Sequence, residues 1–156
     1  MRHGPAEDFA ASGKDADRAL TPSGRDRVRA VAKALRDHDE APSVIVSSPL
    51  VRALQTAEIV AAEVGVERVE TSRDLAPSGD AVALVRTLVQ GGRKRAMVVG
   101  HEPDLSSLVA SLCGAFSRDM LKAMVVGLQA RAGEPTRIRF VLEPKDLRWE
   151  HADKSV

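Results

Sequence analysis

From Thr21 onward, apolar residues spaced three and four apart give way repeatedly to short unbroken apolar runs, a pattern that predicts helices and strands in turn. Val28, Val31, Ala32 and Leu35 recur at helical spacing. Thr21 supplies an N-cap ahead of Pro22, which suits a first helical position, so a helix opens there. Arg25, Arg27, Arg29, Lys33 and Arg36 fall on its other side and read as a solvated face. Ser43 to Ser47 reads as a strand, and a helix from about Leu50 to Val64 stops at Gly65. Val66 to Thr71 reads as a second strand and Ala81 to Gln90 as a helix halted by Gly91-Gly92. Ala96 to Val99 predicts a third strand, and Pro103 to Leu112 a helix. Lys122 to Arg131 and Thr136 to Leu142 predict a hairpin turning through Ala132-Gly133-Glu134-Pro135. Residues 5–21 and Asp74 to Asp80 read as loops, and the charged tail after Lys145 as loosely held.

Strands alternating with helices imply a single α/β domain over residues 1–156, with a mostly parallel central sheet and helices on both faces. In such sheets ligands bind beyond the carboxyl ends of the strands. Composition narrows the function classes. The 156 residues carry 23 basic and 22 acidic side chains, a net charge of +1, which gives no global reason to expect nucleic acid or an anionic membrane as partner. Aromatic residues make up only 3%, too few for base-stacking platforms, so the core must be aliphatic. No apolar run approaches membrane-spanning length and the first residues lack the apolar core of a signal peptide, so the expectation is a cytoplasmic protein. The single cysteine, Cys113, lies in an apolar stretch and reads as a small buried hydrophobe.

Three polar clusters fall where strands should end. Arg2-His3-Gly4 begins the chain. Ser47-Ser48-Pro49-Leu50-Val51-Arg52 follows the first predicted strand, and Gly100-His101-Glu102-Pro103-Asp104 follows the third. Each alone is a weak signal. Together they bring two arginines and two histidines toward one pocket. Arginine forks match phosphate oxygens, and a neutral imidazole is a competent nucleophile toward phosphorus. Helix starts after Ser48 and Gly100 would add backbone N–H groups, which favour anions.

With these pieces in place, the sequence resembles the histidine phosphatase superfamily and, within it, the short phosphohistidine phosphatases of the SixA type. The resemblance rests on Arg2-His3-Gly4, on Arg18-Ala19-Leu20-Thr21-Pro22, on Ser48-Pro49-Leu50-Val51-Arg52-Ala53-Leu54-Gln55-Thr56, on Leu75-Ala76-Pro77-Ser78-Gly79-Asp80 and on Gly100-His101-Glu102-Pro103. These are collinear and span residues 2 to about 110. The resemblance implies a three-layer, phosphoglycerate mutase-like fold. It implies that His3 attacks phosphorus, that Arg2, Arg52 and His101 bind the phosphoryl oxygens, and that Gly4 belongs to the same site. It implies that Arg18 extends the substrate pocket, and that no metal or organic cofactor is needed.

Two departures shape the expectation. Larger members carry a glutamate as general acid after the second strand, and the loop Asp74 to Asp80 has none. Asp80, Asp15 and Glu102 are the candidate proton donors. A sugar alkoxide leaving group would need that proton, whereas an imidazole, with a pKa near neutrality, needs it much less. The expected substrate is therefore a phosphohistidine on a protein. The alternatives are a small nucleotide or sugar phosphate, or a module that binds phosphate without turning it over. Second, the family's first strand precedes Arg-His-Gly, and here only Met1 does, so that central strand is expected to be missing or truncated; its loss would leave unpaired buried backbone unless the sheet compensates.

Overall fold

A computed structural model describes residues 1–151. The elements run α1 (Pro22–Asp37), β1 (Val44–Ser47), α2 (Val51–Val64), β2 (Val69–Thr71), α3 (Ala81–Gln90), β3 (Ala96–Val99), α4 (Asp104–Cys113), β4 (Val125–Gln129), β5 (Arg137–Leu142) and β6 (Trp149–His151). The predicted helices and first five strands are present, with strand ends shorter than the apolar runs suggested. Local chemistry explains several boundaries. Thr21 Oγ1 accepts the Gly24 amide at 2.9 Å and caps α1. Gly65 ends α2 with φ at 79°, a left-handed conformation that favours glycine.

Strands β2, β1 and β3 form a parallel sheet in that order, and β4, β5 and β6 form an antiparallel one. Side chains of successive strand residues point to opposite faces, and the core divides accordingly. Ile45, Met97 and Val99 join Val28, Val31 and Leu35 of α1 and Ala53, Ala57 and Val60 of α2 on one side. Val46 joins Leu88 of α3 and Leu105 and Leu108 of α4 on the other. The α/β fold with helices on both faces is thus written in the alternation of single residues along β1. Val28, Val31 and Val60 are fully buried, and each such side chain contributes about 1.5–3 kcal/mol relative to exposure.

Met1 to His3 join the two sheets. The Met1 amino group donates to Val98 O at 2.8 Å, Gly100 N donates to Met1 O at 3.2 Å, and His3 N donates to Gly100 O at 3.1 Å. On their other side, Arg2 N donates to Met124 O at 3.1 Å and Ala123 N donates to His3 O at 3.0 Å. Three residues stand where the resemblance places a whole strand. Among the described residues, no strand pairing joins the parallel and antiparallel sheets directly.

The tail requires a correction. Trp149 to His151 form β6, paired with β5 through Leu142, Val141 and Phe140. The cause is packing: the Trp149 ring stacks on His38 at 4.5 Å between centroids and meets Phe140 at 4.8 Å. Residues 152–156 lie outside the described residues. The loop over 5–21 also carries more order than its polarity suggested, with a bridge between Ala6 and Leu20 and a turn of 3-10 helix at Asp15–Asp17. No helix among the described residues is long and apolar enough to cross a membrane.

Candidate active site

His3 is held by close backbone packing. A side chain on Gly4 would bring its Cβ within 2.6 Å of Val28 Cγ2, and one on Gly24 would reach 2.1 Å from Pro5 O. Glycine at both positions lets the segment after His3 lie directly on the first turns of α1. Gly4 N donates to Thr56 Oγ1 at 3.0 Å, and Thr56 in turn donates to the Arg52 carbonyl at 2.7 Å. The motif at the chain start is thereby fastened to the helix that carries Arg52.

The His3 ring is 6% exposed. Its Nδ1 lies 2.8 Å from Gly4 O, so Nδ1–H donates to that carbonyl and Nε2 keeps its lone pair. Arg52 Nε donates to Nε2 at 3.3 Å. Burial pushes the His3 pKa down to about 3, opposed by the bond to Gly4 and aided by His101, Arg52 and Arg2. The imidazole is neutral throughout the physiological range.

His101 stands beside it, with ring centroids 5.2 Å apart and planes tilted by 52°. Its Nε2 lies 2.8 Å from Ser48 Oγ, which also accepts the Leu50 amide at 3.2 Å. Where Ser48 Oγ–H donates to Nε2, the ring proton sits on Nδ1 and makes it a donor. Nδ1 is buried without a partner among the described residues. Burial, then the Arg52 charge, pushes the His101 pKa down to about 4.

Arg2 donates through Nη1 to Met120 O at 2.7 Å, while its Nε is buried and unpartnered among the described residues. Burial lowers its pKa, offset by Glu102 and Asp119. Arg52, 5% exposed, sits in the first turn of α2. Arg18 is tied to Asp15 Oδ1 by Nε at 2.9 Å and to Glu7 O by Nη1 at 2.9 Å.

The candidate proton donors have other engagements. Asp80 caps α3 by accepting the Ala83 amide at 2.9 Å. Asp15 accepts from both Arg52 and Arg18; burial works against its ionised form, but these bonds and the Arg52 charge hold the carboxyl below its usual range. Glu102 accepts the Ser106 amide at 3.1 Å through Oε1, while Oε2 is buried without a partner. Sequence reading missed Ser48 and Thr56 as supports of the two histidines. Ser48 stands in a polar cluster and in the Ser48-to-Thr56 motif, but nothing in the sequence pairs it with His101. Thr56 lies one helical turn beyond Arg52, a spacing that does signal proximity. The Met120 carbonyl carried no signal at all.

A buried neutral histidine whose Nε2 faces Arg52, beside Arg2 and a His101 nitrogen without a partner among the described residues, sits at the carboxyl ends of parallel strands, an arrangement with the chemistry to receive a tetrahedral oxyanion. Among the described residues, no group of three or more His, Cys, Asp or Glu side chains is placed to hold a metal ion.

Comparison with known proteins agrees with that chemistry. The family model for the histidine phosphatase superfamily (branch 1) matches residues 1–76. Phosphohistidine phosphatase SixA of Escherichia coli (strain K12) is 35% identical over 117 residues, covering 72% of this chain and 71% of that protein. An uncharacterized protein of Picosynechococcus sp. is 34% identical over 140 residues, covering 85% of this chain and 84% of its own length. The structure of the protein histidine phosphatase SixA complexed with tungstate superposes with a TM-score of 0.87 at 28% identity, covering 95% of this chain and 97% of that one. The chain belongs to the histidine phosphatase superfamily. It is a phosphatase, a hydrolase of phosphoryl groups.

Proposed function

We propose that this phosphatase removes the phosphoryl group from phosphohistidine on a protein, through a covalent intermediate on His3. The observation that carries the reading is the pair of contacts on the His3 ring: Nδ1 bound to Gly4 O at 2.8 Å and Nε2 facing Arg52 Nε at 3.3 Å. The first fixes the tautomer and the second aims the lone pair into a positive field.

His3 Nε2 attacks phosphorus in line. The new N–P bond forms as the P–N bond to the substrate ring, already protonated at its other nitrogen, breaks, and neutral imidazole leaves with the bonding pair. Arg2, Arg52 and His101 Nδ1–H hold the equatorial oxygens, the preorganised electrostatic term that dominates phosphoryl transfer. Water then attacks phospho-His3, releasing orthophosphate and restoring the free imidazole. Arg18, which the family resemblance assigns to the substrate pocket, is joined to Arg52 through Asp15 and would extend the site toward a protein substrate.

The leaving group follows from the acids. Asp80 is spent on a helix cap and Asp15 is held ionised between two arginines. With these two carboxylates engaged, Glu102 is the candidate acid that remains, its Oε1 on the Ser106 amide and its Oε2 without a partner among the described residues, and a site so short of acids favours a leaving group of near-neutral pKa over an alkoxide. The name of the Escherichia coli relative, phosphohistidine phosphatase, supports the same substrate class.

The test is a substrate panel: a phosphohistidine protein, an aryl phosphate and a sugar phosphate, with wild type and His3→Ala. The expected result is fastest turnover of the phosphohistidine protein, base-stable and acid-labile phosphate trapped on wild type alone, and loss of turnover in the variant. Efficient hydrolysis of the sugar phosphate with weak action on phosphohistidine would overturn the substrate assignment. Equal rates in the two proteins would overturn the covalent mechanism.

A further inference from the structure

Arg52 is gripped from behind by one residue. Its Nη1 donates to the Asp15 carbonyl at 3.0 Å and its Nη2 to Asp15 Oδ2 at 3.1 Å. A guanidinium offers two forks, an end-on pair of terminal nitrogens and a side-on edge made by Nε and Nη2. Asp15 takes the end-on pair. The side-on edge remains, and its Nε already points at His3 Nε2 from 3.3 Å.

Asp15 is itself anchored. Its Oδ1 accepts Arg18 Nε at 2.9 Å, and its carbonyl also accepts the Arg18 amide at 3.2 Å, closing the 3-10 turn. Arg18 Nη1 is fixed in turn on Glu7 O at 2.9 Å. The grip on Arg52 therefore comes from a braced turn, although the Asp15 side chain is 64% exposed.

We propose that Asp15 is a positioning residue: it sets the plane of the Arg52 guanidinium so that the Nε–Nη2 edge meets the oxygens of a phosphoryl group at His3. This rests on the phosphatase reading given above and assigns Asp15 a task other than proton transfer. Without the Asp15 carboxylate, Arg52 keeps the backbone carbonyl of residue 15 and a neutral imidazole as partners, the two-point grip is lost, and a side chain with about 2 kcal/mol of rotamer entropy regains alternatives. Errors of about 1 Å in such a group cost on the order of 100-fold in rate.

Two other tasks for the same carboxylate make different predictions. A general acid matters most for poor leaving groups. A stray negative charge beside an anion site repels the ligand, so removing it would tighten binding.

The experiment measures kcat/KM of wild type, Asp15→Ala and Asp15→Asn on p-nitrophenyl phosphate and phenyl phosphate, with orthophosphate affinity by calorimetry. Each Asp15 change is repeated in an Arg52→Ala background. The expected loss for Asp15→Ala is about 10- to 100-fold, equal for both esters, with weaker orthophosphate binding. Asp15→Asn, which keeps an oxygen acceptor, recovers part of it. In the Arg52→Ala background the further loss shrinks to within about twofold, because the two residues act as one unit. A loss confined to phenyl phosphate, tighter orthophosphate binding, or an equal loss in both backgrounds would overturn the proposal. If the phosphatase reading itself failed, wild type would turn over neither ester, and the orthophosphate arm would still decide on Asp15.

Discussion

Two arginine-bearing regions of this molecule are built on opposite terms. On the outer face of α1, Arg29 pairs with Asp26 at 2.7 Å, Arg36 pairs with Glu63 at 2.6 Å, and Lys33 pairs with Asp37, all with side chains open to solvent. At the carboxyl ends of β1 and β3, Arg52 is almost wholly buried and Arg2 keeps a buried Nε with no partner among the described residues. Water and neighbouring carboxylates satisfy the first group, and such pairs contribute little. The second group is uphill for folding, because desolvated charge and unpaired donors are costly. The difference teaches where to look for ligand: the same residue type is satisfied by solvent in one place and, in the other, held buried where the proposed mechanism needs a receptor.

The sharpest way to break this contrast is to remove one arginine from each region. Arg52→Ala is expected to lower kcat/KM on an aryl phosphate by about 1,000-fold, the scale of losing a preorganised donor to a transition-state oxyanion. A loss below about tenfold would mean that Arg52 is not part of the receptor.

A smaller effect concerns stability against pH. His3 and His101 fold as neutral rings with pKa values of about 3 and about 4, against an ordinary histidine value of 6.5. Between pH 6.5 and those values the unfolded chain binds protons that the folded chain does not. Stability is therefore full above pH 6.5 and falls as pH drops through that window. The thermal midpoint is expected to fall by several degrees from pH 7 to pH 5, and a saturating oxyanion such as tungstate is expected to flatten the fall. A midpoint that stays level, or rises on acidification, would contradict two neutral buried rings.

The smallest effect is expected on α1. Arg29→Ala and Arg36→Ala should leave turnover within about twofold and the thermal midpoint within about 1 °C. A large loss in either would show that the outer face belongs to the functional surface after all.

What sequence conveyed and what it withheld divide by range. The cap at Thr21, the stop at Gly65 and the alternation of Ile45 and Val46 depend on immediate neighbours, and all could be read directly. The short strand Trp149 to His151 could not, since it exists because Trp149 packs on His38 and Phe140, more than a hundred residues and nine residues away in sequence respectively. In the site, the gathering of His3, Arg52 and His101 followed from the rule that parallel strands collect ligands at their carboxyl ends. The partners that orient those groups did not follow from it. Ser48 on His101 spans 53 residues, and Asp15 on Arg52 spans 37. A motif displays the chemistry of a residue, but the atom that turns it the right way comes from wherever the fold brings one.

The three residues that join the two sheets include His3. The amides and carbonyls of Met1, Arg2 and His3 hold Val98 and Gly100 on one side and Ala123 and Met124 on the other. The residue proposed as nucleophile is thus also a stitch in the seam. Any opening of that seam would free the His3 backbone on both sides, so under the proposed mechanism it would also displace the nucleophile. Hydrogen exchange at the His3 and Gly100 amides would report on that opening.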